Sequence, residues 1–197
     1  MNGVGLEFNH LFGFGVLDAG AMVALAKQWK SVPARYHCEA GSDKTIRPIP
    51  KDKSLFLTLE TNACAGTDTE VNYLEHVQAV ITLNSTRRGD VELFLRSPMG
   101  TRSLILSTRP NDDDSRDGFT KWPFMTTHPW AEYPRGKWSL EVRFNGQRVN
   151  QGFLKVLFFA TLFPFSAFTK KISFSIVFFI RNKSKKKSQQ KLIVFDS

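Results

Sequence analysis

Two cysteines, four histidines, a few serines and one dense run of aspartates are the groups in this chain with chemistry to offer. Ser103, Ser107 and Ser115 sit in strand or loop contexts. Nucleophilic catalysis needs a hydroxyl within hydrogen-bond reach of a base that a third group orients. No spacing joins these serines to His10, His37, His76 or His128, so no catalytic residue is assigned. The histidines are scattered and no C-x-x-C pair exists, which argues against a zinc site, and no metal ligand is assigned. Cys38 and Cys64, 26 positions apart, fit one disulfide of an exported domain, closing a loop worth about 3 kcal/mol in chain-entropy terms. Two buried thiols in a reducing compartment stay open beside that reading. Asn111-Asp112-Asp113-Asp114 with Asp117 and Gly118 has the composition of a calcium loop, but it lacks the EF-hand spacing and the closing bidentate Glu. It reads as a solvated acidic turn, or as one facing the basic surface of another domain.

Three further groups of residues suggest binding rather than reaction. Arg88-Gly89-Asp90 has the composition of an integrin-binding tripeptide, but Asp90 runs straight into the apolar alternation of Val91, Leu93 and Leu95. A tight turn bent at Gly89 and held by pairing of Arg87 or Arg88 with a carboxylate fits better, with adhesion as the alternative. Asn84-Ser85-Thr86 is a glycan acceptor sequence at a strand end, usable only on an exported chain; Asn182-Lys183-Ser184 matches the same pattern. Trp122, Phe124, Trp130 and Trp138 read as core and domain-interface packing, with a carbohydrate platform as the alternative.

The elements that must position these residues fall into three pieces. From Met1 to about Pro33, Gly13-Phe14-Gly15 gives a tight turn, Asp18 an N-cap, and Met22, Leu25, Ala26 and Trp29 one apolar helical face that Pro33 ends. That face requires a partner outside its own neighbourhood. From about Tyr36 to Lys155 the pattern is all-β. Period-two alternation runs through Leu55, Leu57 and Leu59; Val77, Ala79, Ile81 and Leu83; Val91, Leu93 and Leu95; Leu104 and Leu106; and Trp138, Leu140, Val142 and Phe144. Gly, Pro, Asn and Asp clusters separate these runs at the spacing of a sandwich or barrel. The third piece, 156–197, differs in composition: ten of the chain's 18 Phe lie from Phe153 onward. Eight Lys, one Arg and one Asp give residues 155–197 a charge of +8, which leaves +1 of the total +9 for the rest. The folded part is nearly neutral and shows no nucleic-acid reader motif, so nucleic acid is excluded as a partner. Val156 to Phe168 is short, broken by Pro164 and followed by Lys170 and Lys171. A span needs about 20 apolar residues, so the tail does not read as membrane-crossing; interfacial binding or aggregation fits it better.

Several long stretches carry a resemblance. YLEHVQAVITLNSTRRGDVELFLRSPMGT and RPNDDDSRDGFTKWPFMTTHPW resemble the P domain of kexin-like proprotein convertases, and FNHLFGFGVLDAGAMVALAKQW resembles the closing helix of their subtilisin-like catalytic domain. The resemblance covers Phe8 to about Lys155. It implies a jelly-roll-like β-barrel over 36–155, preceded by a catalytic-domain remnant over 1–33. The family consists of calcium-dependent secreted serine endopeptidases that cut prohormones after paired basic residues. Their triad and oxyanion Asn lie upstream of this helix, and no Gly-Thr-Ser-Met-Ala-type nucleophile turn is present. The chain is therefore expected to be inactive alone, with no cofactor of its own and calcium belonging to the catalytic domain. Its partner is that catalytic domain in cis, reached by prohormone substrates only through it, in the secretory pathway or its granules. In the family the Arg-Gly-Asp turn is also linked to folding and sorting.

Three departures from the family set further expectations. Ala131 stands where Trp-Gly-Glu is usual, and a positive φ there would cost about 1 kcal/mol. Val156-Leu157-Phe158-Phe159 replaces the family's Glu-Trp-x-Leu-x-Leu-x-Gly, so the last strand is expected to be missing, leaving an open edge. Residues 156–197 read as a retained intron or a misplaced gene boundary, with a true isoform as the alternative. Met1-Asn2-Gly3-Val4-Gly5 leads into Glu7 without the basic and apolar regions of an export signal.

Overall fold

The computed structural model describes residues 1–30, 36–112, 116–146 and 149–163, with the backbone alone for 156–163. Pro33, Asp113, Asp114, Ser115, Asn182 and the rest of 164–197 lie outside the described residues.

The one α-helix among the described residues, α1 (Ala19–Ala26), begins where its cap predicts: the Asp18 carboxylate accepts a hydrogen bond from the Ala21 amide at 3.0 Å. None of its residues is buried, and Met22 and Val23 are exposed, with Trp29 beyond its end. Of the apolar face, Leu25 is partly covered within the described residues, while Met22, Ala26 and Trp29 are exposed.

Nine strands follow among the described residues: β1 (Tyr36–Asp43), β2 (Arg47–Pro48), β3 (Leu55–Thr61), β4 (His76–Ser85), β5 (Val91–Arg96), β6 (Arg102–Leu106), β7 (Phe119–Thr126), β8 (Gly136–Phe144) and β9 (Gly152–Phe163). They form two antiparallel sheets, one in the order β1-β9-β4-β7 with β2 paired to the start of β9, the other β3-β8-β5-β6. The core lies between them. β4 alternates without interruption, directing Val77, Ala79, Ile81 and Leu83 inward. Facing these are Leu57 of β3, Leu93 and Leu95 of β5, and Trp138, Leu140 and Val142 of β8. The Trp138 indole N–H donates to the Pro134 carbonyl at 2.9 Å, so this large side chain is buried without an orphaned donor. At the other face of β5, Glu92 and Phe94 are also buried, because Arg143 pairs with Glu92 while Arg143 and Arg102 cover the Phe94 ring.

Two expectations are corrected here. The all-β class holds, but the expected barrel is a sandwich that does not close: among the described residues no hydrogen-bond ladder joins β1 to β3 or β6 to β7. Alternation reports which face of a strand is buried and carries no information on whether the last neighbour pairs. The missing last strand is likewise corrected. β9 continues through Lys155 and Val156 to Phe163, pairing with β4 from Ser85↔Gly152 to His76↔Leu162 and with β1 from Asp43↔Leu157 to Tyr36↔Phe163. The ladder is made of backbone groups, so a run of Val, Leu, Phe, Ala and Thr fills the position although its sequence departs from the family pattern. The strand expected to be absent is central.

Candidate docking site and the arginine turn

Residues 88–90 form a single 3-10 turn between β4 and β5. Arg87 Nε donates to Asp90 Oδ2 at 3.0 Å, while Asn150 accepts from the Arg87 amide and donates to its carbonyl at 2.6 Å. Arg88 grips Asp112 with two parallel bonds, Nε to Oδ2 at 2.9 Å and a terminal nitrogen to Oδ1 at 2.6 Å. Arg109 adds a bond to the same carboxylate at 3.3 Å and donates to the Arg88 carbonyl at 2.6 Å. Both guanidinium carbons stand 5.5 Å from the centre of the Phe119 ring. The hydrogen bond from Arg88, outweighing the opposing effect of burial, holds the Asp112 carboxyl below its ordinary range. Asp112 of the acidic run is thus turned inward onto two arginines.

Gly89 is required by close approach rather than by its φ: a Cβ would stand 2.3 Å from the Arg109 carbonyl oxygen and 2.8 Å from the Asp112 carbonyl carbon. Arg88 is paired with Asp112 and Asp90 with Arg87, so both charges of the tripeptide are engaged within the chain.

The disulfide joins Cys38 of β1 to Cys64, with 5.8 Å between their Cα atoms. It ties the edge of the first sheet to the turn after β3, where Ala63 and Cys64 both hold positive φ. Asn84 lies near the end of β4, half-buried, with its Oδ1 accepting the Phe153 amide at 2.9 Å. The four singled-out aromatics divide: Phe124 and Trp138 are core, Trp130 belongs to the site described next, and Trp122 is 54% exposed on the edge strand β7.

Sequence reasoning missed a second cluster. Glu132 is fully buried, 0% exposed, in the loop between β7 and β8. Its carboxylate accepts from the hydroxyls of Ser97 and Thr101 and from the Gly3 amide, the last at 2.7 Å. Gly3 also donates to Thr101 Oγ1 at 2.9 Å. A buried carboxylate is tolerated when donors surround it, and here three do. Asn2, 6% exposed, donates from Nδ2 to the carbonyls of Trp130 at 2.9 Å and His128 at 3.2 Å. Beyond it, Phe8 stacks on His128 at 4.2 Å, His10 meets the same ring at 4.6 Å, and Phe14 lies 6.4 Å from Trp130. Burial, with the nearby His10 adding to it, lowers the His128 pKa to about 4. Ala131, in the middle of this loop, has φ +62°, and its amide donates to the Leu74 carbonyl at 2.6 Å. No sequence signal marked Glu132 beyond a lone acid in an aromatic, proline-rich run.

Among the described residues no group of three or more His, Cys, Asp or Glu could hold a metal ion, and no helix is long and apolar enough to cross a membrane. Among the described residues, both clusters are built from contacts between polypeptide segments. Residues 74–156 match the family described as Proprotein convertase P-domain, and this part of the chain is such a domain. More particularly, the chain is similar to Neuroendocrine convertase 2: 71% identical over 152 residues to that of Drosophila melanogaster, covering 77% of this chain and 23% of the relative. It is 62% identical over 154 residues to that of Homo sapiens, covering 78% and 24%. The chain spans about a quarter of the length of these relatives. Among solved structures, the serine protease of Aeromonas sobria in complex with its chaperone shares the fold, with TM-score 0.67 at 18% identity over 84% of this chain and 33% of that one.

Proposed function

We propose that this chain is the non-catalytic support module of a proprotein-convertase-type serine endopeptidase. The observation that carries the proposal is the docking of residues 2–14 into the loops of the sandwich around Glu132. The stretch from Phe8 resembles the close of a catalytic domain, and beyond it Leu11, Phe12, Val16, Leu17, Met22 and Val23 are exposed. A sandwich that grips the last segment of a protease on one side leaves those side chains to be covered by the protease itself, which it thereby stabilises. Calcium and the cutting of prohormones at paired basic residues belong in this reading to the catalytic domain, reached in cis. The disulfide fits an oxidising compartment, hence the secretory route.

The test uses the full-length protease carrying this sequence. Removing residues 36–163 is expected to abolish secretion of folded enzyme, and restoring them to recover it. Equal activity and thermal stability without them would overturn the support role.

A further inference from the structure

The chain holds two Asn-Gly pairs, Asn2-Gly3 and Asn145-Gly146. A glycine after asparagine leaves the following amide nitrogen unshielded by a Cβ, so that nitrogen can reach the asparagine side-chain carbonyl carbon. The structure treats the two pairs in opposite ways. Asn2 is buried, with Nδ2 donating to the Trp130 and His128 carbonyls and Oδ1 accepting from the Leu6 and Val4 amides. The Gly3 amide donates to Glu132 at 2.7 Å and to Thr101 at 2.9 Å. Both reacting groups of that pair are committed. Just past β8, Asn145 and Gly146 are exposed. Asn145 Nδ2 donates to Glu92 Oε1 at 2.8 Å, but among the described residues neither Asn145 Oδ1 nor the Gly146 amide has a partner.

We infer that Asn145-Gly146 is a site of spontaneous covalent modification, deamidation through a cyclic imide, and that its conversion loosens the arginine turn beside it. The Gly146 nitrogen loses its proton and bonds to Asn145 Cγ. The Cγ–Nδ2 bond breaks, and ammonia leaves with that proton. Water then opens the ring at either carbonyl, giving aspartate at Cγ or, at the main-chain carbon, isoaspartate with the chain running through Cγ. One water is consumed, one ammonia is released and no electron is transferred. Either product acts on the same contacts. Aspartate places an acceptor where Nδ2 donated, so two like charges meet across 2.8 Å at the buried Glu92, whose other donors are Arg143 and Thr108. Isoaspartate adds a methylene to the backbone where there is no slack. The Asn145 amide donates to the Asp90 carbonyl at 2.8 Å, and Gly146 lies so close that a Cβ on it would stand 2.4 Å from Asp90 Cγ. Asp90 is the residue that pairs with Arg87. The modification therefore reaches the 88–90 turn without passing through the core.

The site stands whether or not the sandwich supports a protease, and its test involves no activity. The full chain is aged in mildly alkaline buffer, digested, and the peptides holding Asn2 and Asn145 are followed by mass spectrometry. Asn145 is expected to convert at least about tenfold faster than Asn2, because Asn2 reacts only after local opening. In urea the two rates should converge, since the protection of Asn2 belongs to the fold. Equal rates in the folded chain, or an Asn145 that stays intact there while it converts in urea, would overturn the site. The link to the turn has its own reading. Asn145→Asp in the full chain is expected to speed amide exchange at positions 90 and 145 by at least about tenfold while β4 stays protected. Unchanged exchange at those positions would overturn the link. If that variant does not fold, the aged wild-type fraction, separated by its added negative charge, gives the same comparison.

Discussion

At the scale of single residues, two backbone positions make opposite demands. Gly89 has no space for a side chain, because the Arg109 carbonyl and the Asp112 backbone close over it. Gly89→Ala must push apart the strut that holds Asp112 against two arginines, and it is expected to destabilise the fold by about 1–3 kcal/mol. Chemical denaturation of the variant, with Arg88→Ala as comparison, measures this. A loss no larger than that of an exposed substitution would show that the turn yields. Ala131 is the reverse case, a side chain where φ is +62°. Ala131→Gly removes the left-handed strain of about 1–2 kcal/mol while adding unfolded-state entropy, for a net gain of about 0.5–1 kcal/mol. A higher thermal midpoint is the expected reading, and an unchanged one would show that the loop already relaxes. The sequence anticipated the position of this departure, because a family Gly replaced by Ala is visible as text. Gly89 was legible as a turn residue but not for its reason, since close approach depends on a chain segment 20 residues away.

Elements were legible in proportion to the regularity of their burial. β4 alternates over all ten residues and β8 nearly so, and both stand where period-two reasoning puts them. β1 buries only Cys38 along its length and carries Gly41, while β7 holds Pro123 and a bulge between Phe119 and Trp122, where Lys121 has φ +48°. Edge strands bury few side chains and tolerate Pro, so their pattern fades. The loop from Thr127 to Glu132 is the extreme case, with no period at all, yet it carries His128, Trp130 and Glu132. Its pH behaviour follows from His128. That imidazole titrates near 4 in the folded chain against 6.5 when unperturbed, so the unfolded chain takes up the proton first. The stability it contributes is complete above pH 6.5 and declines as the pH falls toward about 4. His128→Phe keeps an aromatic against Phe8 and cannot be protonated. Urea midpoints measured across this window should fall less steeply in the variant than in the wild type; parallel curves would place the acid sensitivity elsewhere. The disulfide acts on the same scale, fastening β1 to the turn after β3, and replacing both Cys38 and Cys64 by Ala is expected to cost about 3 kcal/mol. A loss below 1 kcal/mol would mean that β1 is held by β9 alone.

For the whole molecule the decisive element is β9, because it lies between β1 and β4 and so carries two ladders at once. The change of composition at Val156 suggested an end to the domain, since sequence similarity registers side chains whereas the ladder registers backbone. The two views diverge on a chain shortened after Lys155. Were the domain complete there, shortening would be harmless. In the structure it strips the partners of Tyr36 to Asp43 and of His76 to Thr82, leaving β1 unpaired and β4 with one open side. Unpaired backbone groups in the middle of a sheet must find other partners, and the nearest are in other chains. A chain ending at Phe163 keeps every described ladder and should show a single cooperative unfolding transition, whereas one ending at Lys155 should lose it and aggregate. Within the full chain, Ala160→Pro makes the same distinction by removing one ladder donor between Glu39 and Gln78. The expected cost is about 3 kcal/mol or more, read by thermal denaturation. If the shorter chain and the proline variant both unfold like the full chain, residues 156–163 do not belong to the sheet, and the family boundary rather than the backbone ladder marks the end of the domain.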